Sequence, residues 1–358
     1  MLERALSLVL ETGAAGTMRH FSVLYGLFLS DYFGGRPKPA LDRAKEFLLL
    51  AQSQTDTGFL LAGGRLMGST LALAGDYPSA FTHIERAVTL YTTEEHRILV
   101  GAELGVSALS SWSWVLWHRG YPDQARQAAD QARRRAWQCG HTHTIAWALI
   151  ATCLTAVFAE PATELERLAT DAVALADEHG LAMFRGQAMT FQGWALRQRG
   201  NPQAAIARIN EGLAAVRATQ AHIFEPIFLA FLAEALAQTG AIPEGLKVLT
   251  EALEIADASG QNWADAELYR LRGNLLTGSP SYDCAEAEAC FRKALAIARE
   301  HGTRGFELRA AVSLARLLNN EERRTKARDL LSPVYGRFTE GFDTPDLKEA
   351  KALLDELS

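Results

Sequence analysis

Between Gly186 and Thr219, small and apolar residues return every three or four positions. Met189, Gly193 and Leu196 share one side of a first segment, and Ala205, Ile209 and Gly212 share one side of a second. That spacing is the period of an α-helix with one buried face. Gly200-Asn201-Pro202 separates the two segments. Glycine takes the left-handed backbone that ends a helix at least cost, Asn caps a helix start, and Pro fits a first turn. The stretch predicts a helical hairpin. One hairpin cannot bury so much apolar surface, so similar hairpins must flank it.

Two rulers locate them. The turn glycine within each hairpin recurs as Gly35, Gly75, Gly120, Gly200 and Gly240, with Pro37, Pro78, Pro122, Pro202 and Pro243 two or three residues later. The steps are 40, 45, 80 and 40 residues, and the doubled step contains Ala159-Glu160-Pro161, with Glu160 in the glycine slot. The glycine closing each hairpin recurs as Gly140, Gly180, Gly260 and Gly302, with Gln220 at the skipped place. Eight units follow, at roughly 21–55, 61–94, 106–139, 146–180, 186–219, 226–260, 266–302 and 308–338. A small residue sits in mid-helix of most first helices (Gly68, Ser113, Cys153, Gly193, Ala233, Gly273, Ala315), and alanines line the second helices (Ala40, Ala80, Ala87, Ala125, Ala132, Ala172, Ala205, Ala252, Ala287, Ala294, Ala327). Both let neighbouring helices approach closely. Larger side chains there would overpack by about 1–3 kcal/mol each.

Tyr269-x3-Gly273-x2-Leu276 followed by Ala287-x3-Phe291-x2-Ala294 resembles the tetratricopeptide repeat, and the remaining units follow the same spacing more loosely. The period near 40 exceeds the usual unit and is similar to the long repeats of large bacterial regulatory ATPases. The resemblance implies an all-α fold, a right-handed α-solenoid of about eight hairpins. Residues 1–20 read as the second helix of an incomplete N-terminal hairpin, with Ala5 and Leu8 facing inward. Residues 21–338 read as the array, and 339–358 as a capping segment whose last helix, Asp346–Leu357, is charged on its outer face. An uncovered N-terminal face would favour a homodimer. The closing segment, from Ser313-Leu314-Ala315 through Pro333-Val334-Tyr335-Gly336 to Gly341-Phe342-Asp343-Thr344 and Leu357, resembles that of a bacterial family joining a class III adenylate cyclase, an AAA-type or NB-ARC-like ATPase and a tetratricopeptide tail. Tyr91…Glu95-His96-Arg97, Leu116…Ala125 and Ala266–Gly273 are further phrases similar to that family. Only the tail is represented, with nothing resembling the cyclase or ATPase parts.

Charge narrows the partners. The 36 basic and 42 acidic residues leave a net charge of −6, which gives a nucleic-acid role no electrostatic support. Arg133, Arg134 and Arg135, and Arg323, Arg324, Lys326 and Arg328, stand beside acidic residues on amphipathic segments and read as solvated faces. MLERALSLVLETG carries Glu3 and Arg4, unlike a signal peptide, and no apolar run reads as long enough to span a membrane. A cytoplasmic location with four reduced cysteines is expected.

Candidate chemistry is sparse. Gly34-Gly35 and Gly63-Gly64 lack the lysine and hydroxyl of a phosphate-binding loop. No nucleophile–base spacing or pair of metal-binding aspartates stands out, so neither an enzyme nor a cofactor is expected. Cys139, His141 and His143 form C-x-H-x-H, near His118 in the stack, and have zinc-ligand chemistry, but they lie in a polar connection without a clear fourth ligand, and no metal is expected. Glu94-Glu95 and Glu321-Glu322 stand near turns or helix starts, where carboxylates suit the helix dipole. The inner face of a tetratricopeptide superhelix is formed by first helices. Its candidate protein-binding residues are Trp114, Trp117, Trp147, Gln187, Thr190, Trp194, Arg197, Glu234, Arg270 and Asn274, apolar towards the left of the array and polar towards the right. Trp112 reads as core. These features predict a scaffold that binds a peptide or protein partner in signalling or regulation. The family resemblance implies an alternative, the regulatory tail of a cyclase or signalling ATPase, and a fragment without an independent role is a third reading.

Overall fold

The computed structural model describes residues 2–11, 16–54, 56–91, 103–279 and 284–358. Every regular element among them is helical. After α1 (Leu2–Glu11) come eight helical hairpins. They are α2 (Met18–Phe33) with α3 (Pro37–Gln52), α4 (Thr57–Leu73) with α5 (Tyr77–Thr89), α6 (Leu104–His118) with α7 (Pro122–Cys139), and α8 (Thr142–Ala159) with α9 (Ala162–His179). Then follow α10 (Ala182–Gln198) with α11 (Pro202–Ala218), α12 (Glu225–Gln238) with α13 (Ile242–Ser259), α14 (Asp265–Thr277) with α15 (Cys284–Glu300), and α16 (Arg304–Asn320) with α17 (Arg324–Tyr335). Helix α18 (Pro345–Glu356) packs on α16 and α17. The Glu94-Glu95 pair and, Tyr91 apart, the Tyr91–Arg97 phrase lie outside the described residues.

Local chemistry sets the hairpins as the spacing predicts. All nine ruler glycines have positive φ, from Gly35 at 68° to Gly302 at 66°. Gln220, at the skipped place, takes the same conformation at 60°. Glu160 does not; its backbone is extended, and its carboxylate accepts from Arg126 Nε at 2.7 Å. Asn201 Oδ1 accepts from the Ala204 amide at 3.3 Å, capping α11. Between α10 and α11, a methyl group on Gly193 would sit 2.4 Å from Ile209 Cγ1, so only hydrogen fits at that crossing.

One expectation is corrected. Helix α8 carries no Asp, Glu, Lys or Arg and is long and apolar enough to cross a membrane by length and composition. Most of it is buried inside the molecule, against α6, α7, α9 and α10. Its uniform hydrophobicity reflects a helix enclosed on all sides.

The array also coils tightly enough for late repeats to meet early ones. Helix α6 touches α16, α8 touches α18, and α4 touches the short 3₁₀ turn Asn262–Ala264. The amides of His222 and Ile223 donate to Phe33 O at 2.9 and 3.1 Å. Arg119 Nη1 donates to Gly302 O at 2.8 Å, and the amides of Asp123 and Gln124 donate to Glu340 Oε1 at 3.0 Å. Part of the inner face is therefore covered by the chain itself.

Candidate functional site

That covering decides the fate of the sequence candidates. Trp114 and Trp117 are buried in an aromatic core that joins repeats far apart along the coil. Trp114 meets Trp263 at 5.4 Å and Phe224 at 5.9 Å between ring centroids. Trp117 stacks on Phe158 at 4.5 Å and meets Phe306 edge-on at 5.4 Å. His118 stacks on Tyr77 at 4.2 Å, and its Nδ1 is 2.9 Å from Trp114 O. Burial pushes the His118 pKa down to about 3, against a smaller upward effect of that backbone hydrogen bond. Phe224 holds a left-handed backbone, φ 65°, uncommon for a bulky residue. Its amide donates to Gln261 Oε1 at 3.0 Å, which fixes the ring in this cluster.

Two more candidates are also interior. Thr190 is fully buried; its Oγ1 donates to Gln187 O at 2.7 Å, and its methyl faces Gly212 of α11. Gln187 is fully buried, and neither amide atom has a protein partner. Trp112 is only half-buried, lying against Phe81 at 4.7 Å. Of the three tryptophans on α6, the ones considered for the groove are thus the deeper.

The other candidates line two cavities. The larger, about 860 Å³, lies on the inner side of the right-hand half, among α8, α10, α12, α14, α16 and α18. Trp194, Arg197, Glu234, Arg270 and Asn274 all line it. Arg197 lies 5.6 Å from the Trp194 ring centroid, and its Nη2 is 3.3 Å from Glu234 Oε2. Arg270 grips Glu267 with two bonds, at 2.6 and 2.8 Å. Arg309 bonds the same carboxylate at 3.0 and 3.2 Å and extends Nη1 to Asp346 Oδ1 at 2.7 Å. Burial pushes the Glu267 pKa up, but the two guanidiniums outweigh it and hold the group at about 2. Arg316 pairs with Glu349. The cavity's charges are therefore largely neutralised among themselves. Gln198, Asn274, Ser313 and Asn320 add neutral polar groups, and Trp194, Phe231, Leu271 and Val312 add apolar wall.

No lining residue is a histidine or cysteine, and Ser313 Oγ accepts from Arg270 Nη1 at 3.4 Å. Arg309, Arg316, Asn320 and Asp346 were absent from the sequence candidates. They follow from carrying the inner-face register one repeat further, into α16, and on to the start of the cap.

Trp147 lines a separate cavity of about 290 Å³ with Tyr25, Tyr32, Phe33, Arg65 and Phe184. His141 and His143 reach it too; His141 Nδ1 is 2.8 Å from Thr144 Oγ1. His118 lies in the aromatic core instead of with them. Among the described residues, no three His, Cys, Asp or Glu side chains are arranged to hold a metal ion.

No family model matches the chain. An uncharacterized protein of Rhizobium meliloti (strain 1021), R02095, is 26% identical over 217 residues. The match spans 61% of this chain and only 21% of that protein. Among solved structures, a Rap protein complexed with competence and sporulation factor superposes with a TM-score of 0.62 at 14% identity, over 95% of this chain and 88% of that one. The Rap conjugation gene regulator of the plasmid pLS20, in complex with the Phr* peptide, gives 0.54 at 12% identity, over 95% and 98%. The APC/C hetero-tetramer Cut9–Hcn1 gives 0.55 at 11%, over 99% and 59%. These likenesses carry the fold, and none of the three carries the cyclase association. The chain is an all-helical solenoid of the kind found in tetratricopeptide-repeat and Rap proteins.

Proposed function

We propose that the chain is a non-enzymatic scaffold that binds an extended peptide, or such a segment of a partner protein, in the 860 Å³ cavity of its right-hand half, and acts in bacterial signalling or regulation. The observation that carries this reading is the internal pairing of the cavity's ions. A site whose charges are already matched has little use for a strongly charged ligand. It retains amides and a hydroxyl suited to the alternating donors and acceptors of a peptide backbone, set beside apolar wall for side chains. Two structures with the same fold hold competence and sporulation factor and the Phr* peptide, which supports reading the inner face as ligand-bearing. A partner carrying a cyclase or ATPase domain fits the same reading on the sequence phrases alone, as does pairing of two copies through α1.

Selection of a displayed random-peptide library against the whole chain tests the proposal. The expected result is enrichment of peptides whose affinity falls at least tenfold in Asn274→Ala and in Asn320→Ala, with the melting temperature nearly unchanged. No enrichment over scrambled peptides, or binding indifferent to both substitutions, overturns it.

A further inference from the structure

The smaller cavity contains a charge that its surroundings leave unmatched. Arg65, in the middle of α4, is 3% exposed. Its Nη2 donates to Tyr25 Oη at 2.9 Å, and its guanidinium carbon lies 5.5 Å from the ring centroids of Tyr25 and Phe28. Nε has no hydrogen-bond partner, and among the described residues no carboxylate pairs with it. Each of the four arginines lining the larger cavity, by contrast, has an acidic partner. A buried guanidinium held only by a phenol and two ring faces is poorly compensated, because buried cations are ordinarily matched by anions. It borders a cavity of about 290 Å³, close to the lower end of the range for small-molecule sites. The remaining wall is mainly aromatic: Tyr32, Phe33, Trp147 and Phe184.

We propose that the Arg65 cavity is a binding site for a small carboxylic acid with an apolar, preferably aromatic, body. The guanidinium takes the carboxylate, and the rings take the body. Guanidinium and carboxylate match in shape and charge, and a low-dielectric wall strengthens the pairing. The single fixed cation selects a monoanion over a doubly charged phosphate ester, since the other basic lining groups are the two histidines. This site is separate from the peptide cavity and does not depend on that reading.

Calorimetric titration of the whole chain at pH 7.5 with 3-phenylpropionate tests it, alongside 3-phenylpropanamide and phenyl phosphate. The expected result is saturable one-to-one binding of the acid, at least tenfold tighter than either comparison compound. Arg65→Met should lose at least tenfold in affinity for the acid, and Trp147→Ala should weaken it several-fold. The proposal is overturned if the amide binds as well as the acid, if phenyl phosphate binds more tightly, or if the acid shows no binding at millimolar concentration. Unchanged affinity in Arg65→Met overturns it equally. If that variant does not fold, the acid-against-amide ratio on the native chain and the Trp147→Ala titration decide.

Discussion

Trp114 and Trp194 occupy the same place in the repeat, as do Trp117 and Arg197, each pair 80 residues apart like Gly120 and Gly200. All four side chains are nearly buried, yet they serve different surroundings. On α6 the inner face meets Phe224, Trp263 and Phe306, brought from more than a hundred residues away. On α10 it meets a cavity crossed by paired charges. One repeat pattern thus gives a dry aromatic seam where the coil closes on itself and a polar chamber where it stays open. The position within a repeat sets which way a side chain points. The position along the coil sets what it finds there.

The largest expected contrast comes from the register pair. Trp114→Ala removes a ring enclosed on all sides and should cost about 3–5 kcal/mol. Trp194→Ala extends an existing cavity that can admit water, and should cost roughly half as much. Urea melts of the two variants measure the difference. Equal losses would mean that the chamber wall is as tightly packed as the seam.

Acid should weaken the two regions over different ranges. His118 has a folded pKa of about 3, below its unfolded value near 6.5, so the unfolded chain binds a proton that the folded chain refuses. Stability is therefore lost as pH falls from 6.5 towards 3, by about 2 kcal/mol at pH 5. Glu267 is also depressed, from 4.5 to about 2, so its contribution is complete above 4.5 and is lost only as pH falls from there towards 2. Between pH 7 and 5 the seam weakens and the Glu267 cluster does not. Asp265, raised to about 6 by burial, opposes this trend, while His83 and His301, lowered by burial, add to it. The readout is accordingly the difference between chains. His118→Phe should flatten the pH 7-to-5 loss by about 2 kcal/mol, whereas Glu267→Gln should leave that slope unchanged. A slope unaltered by His118→Phe would remove the histidine from the account.

How much of this was legible depends on the range of the interaction. The hairpin turns, the caps and the close α10–α11 crossing are local, and Gly193, Gly200, Asn201 and Gln220 announce them within a few positions. The right-hand inner face was legible as well. Trp194, Arg197, Glu234, Arg270 and Asn274 follow from register alone and line one cavity. What register cannot supply is the return of the coil. Nothing near Trp114 signals that Phe224 and Trp263 will cover it, because the tightness of a superhelix accumulates from small rotations at every repeat. Thr190 is enclosed for a nearer reason. It lies at the edge of the inner face, and Gly212 opened enough room for α11 to take it. Arg65 is silent in the sequence, because an arginine within an apolar helix gives no sign of lacking an acidic partner until the surrounding helices are in place.

The smallest contrast isolates that return from everything local. Gly35 and Gly200 fill the same turn slot with φ of 68° and 78°. Alanine at either position pays the left-handed penalty, about 1–2 kcal/mol. Around Gly200 nothing lies within 4 Å of an added methyl group, so the backbone term should be the whole effect. At Gly35 the methyl would sit 2.5 Å from Gln261 Nε2 and 2.9 Å from His222 O, atoms that belong to the overlying turn of the coil. Gly35→Ala must push that turn away or distort it, adding roughly 1–3 kcal/mol. The difference between the two alanine variants in a urea melt therefore measures the contact between turns. A difference near zero would show that the overlying turn at His222 and Gln261 shifts without cost and adds nothing to the closure of the coil.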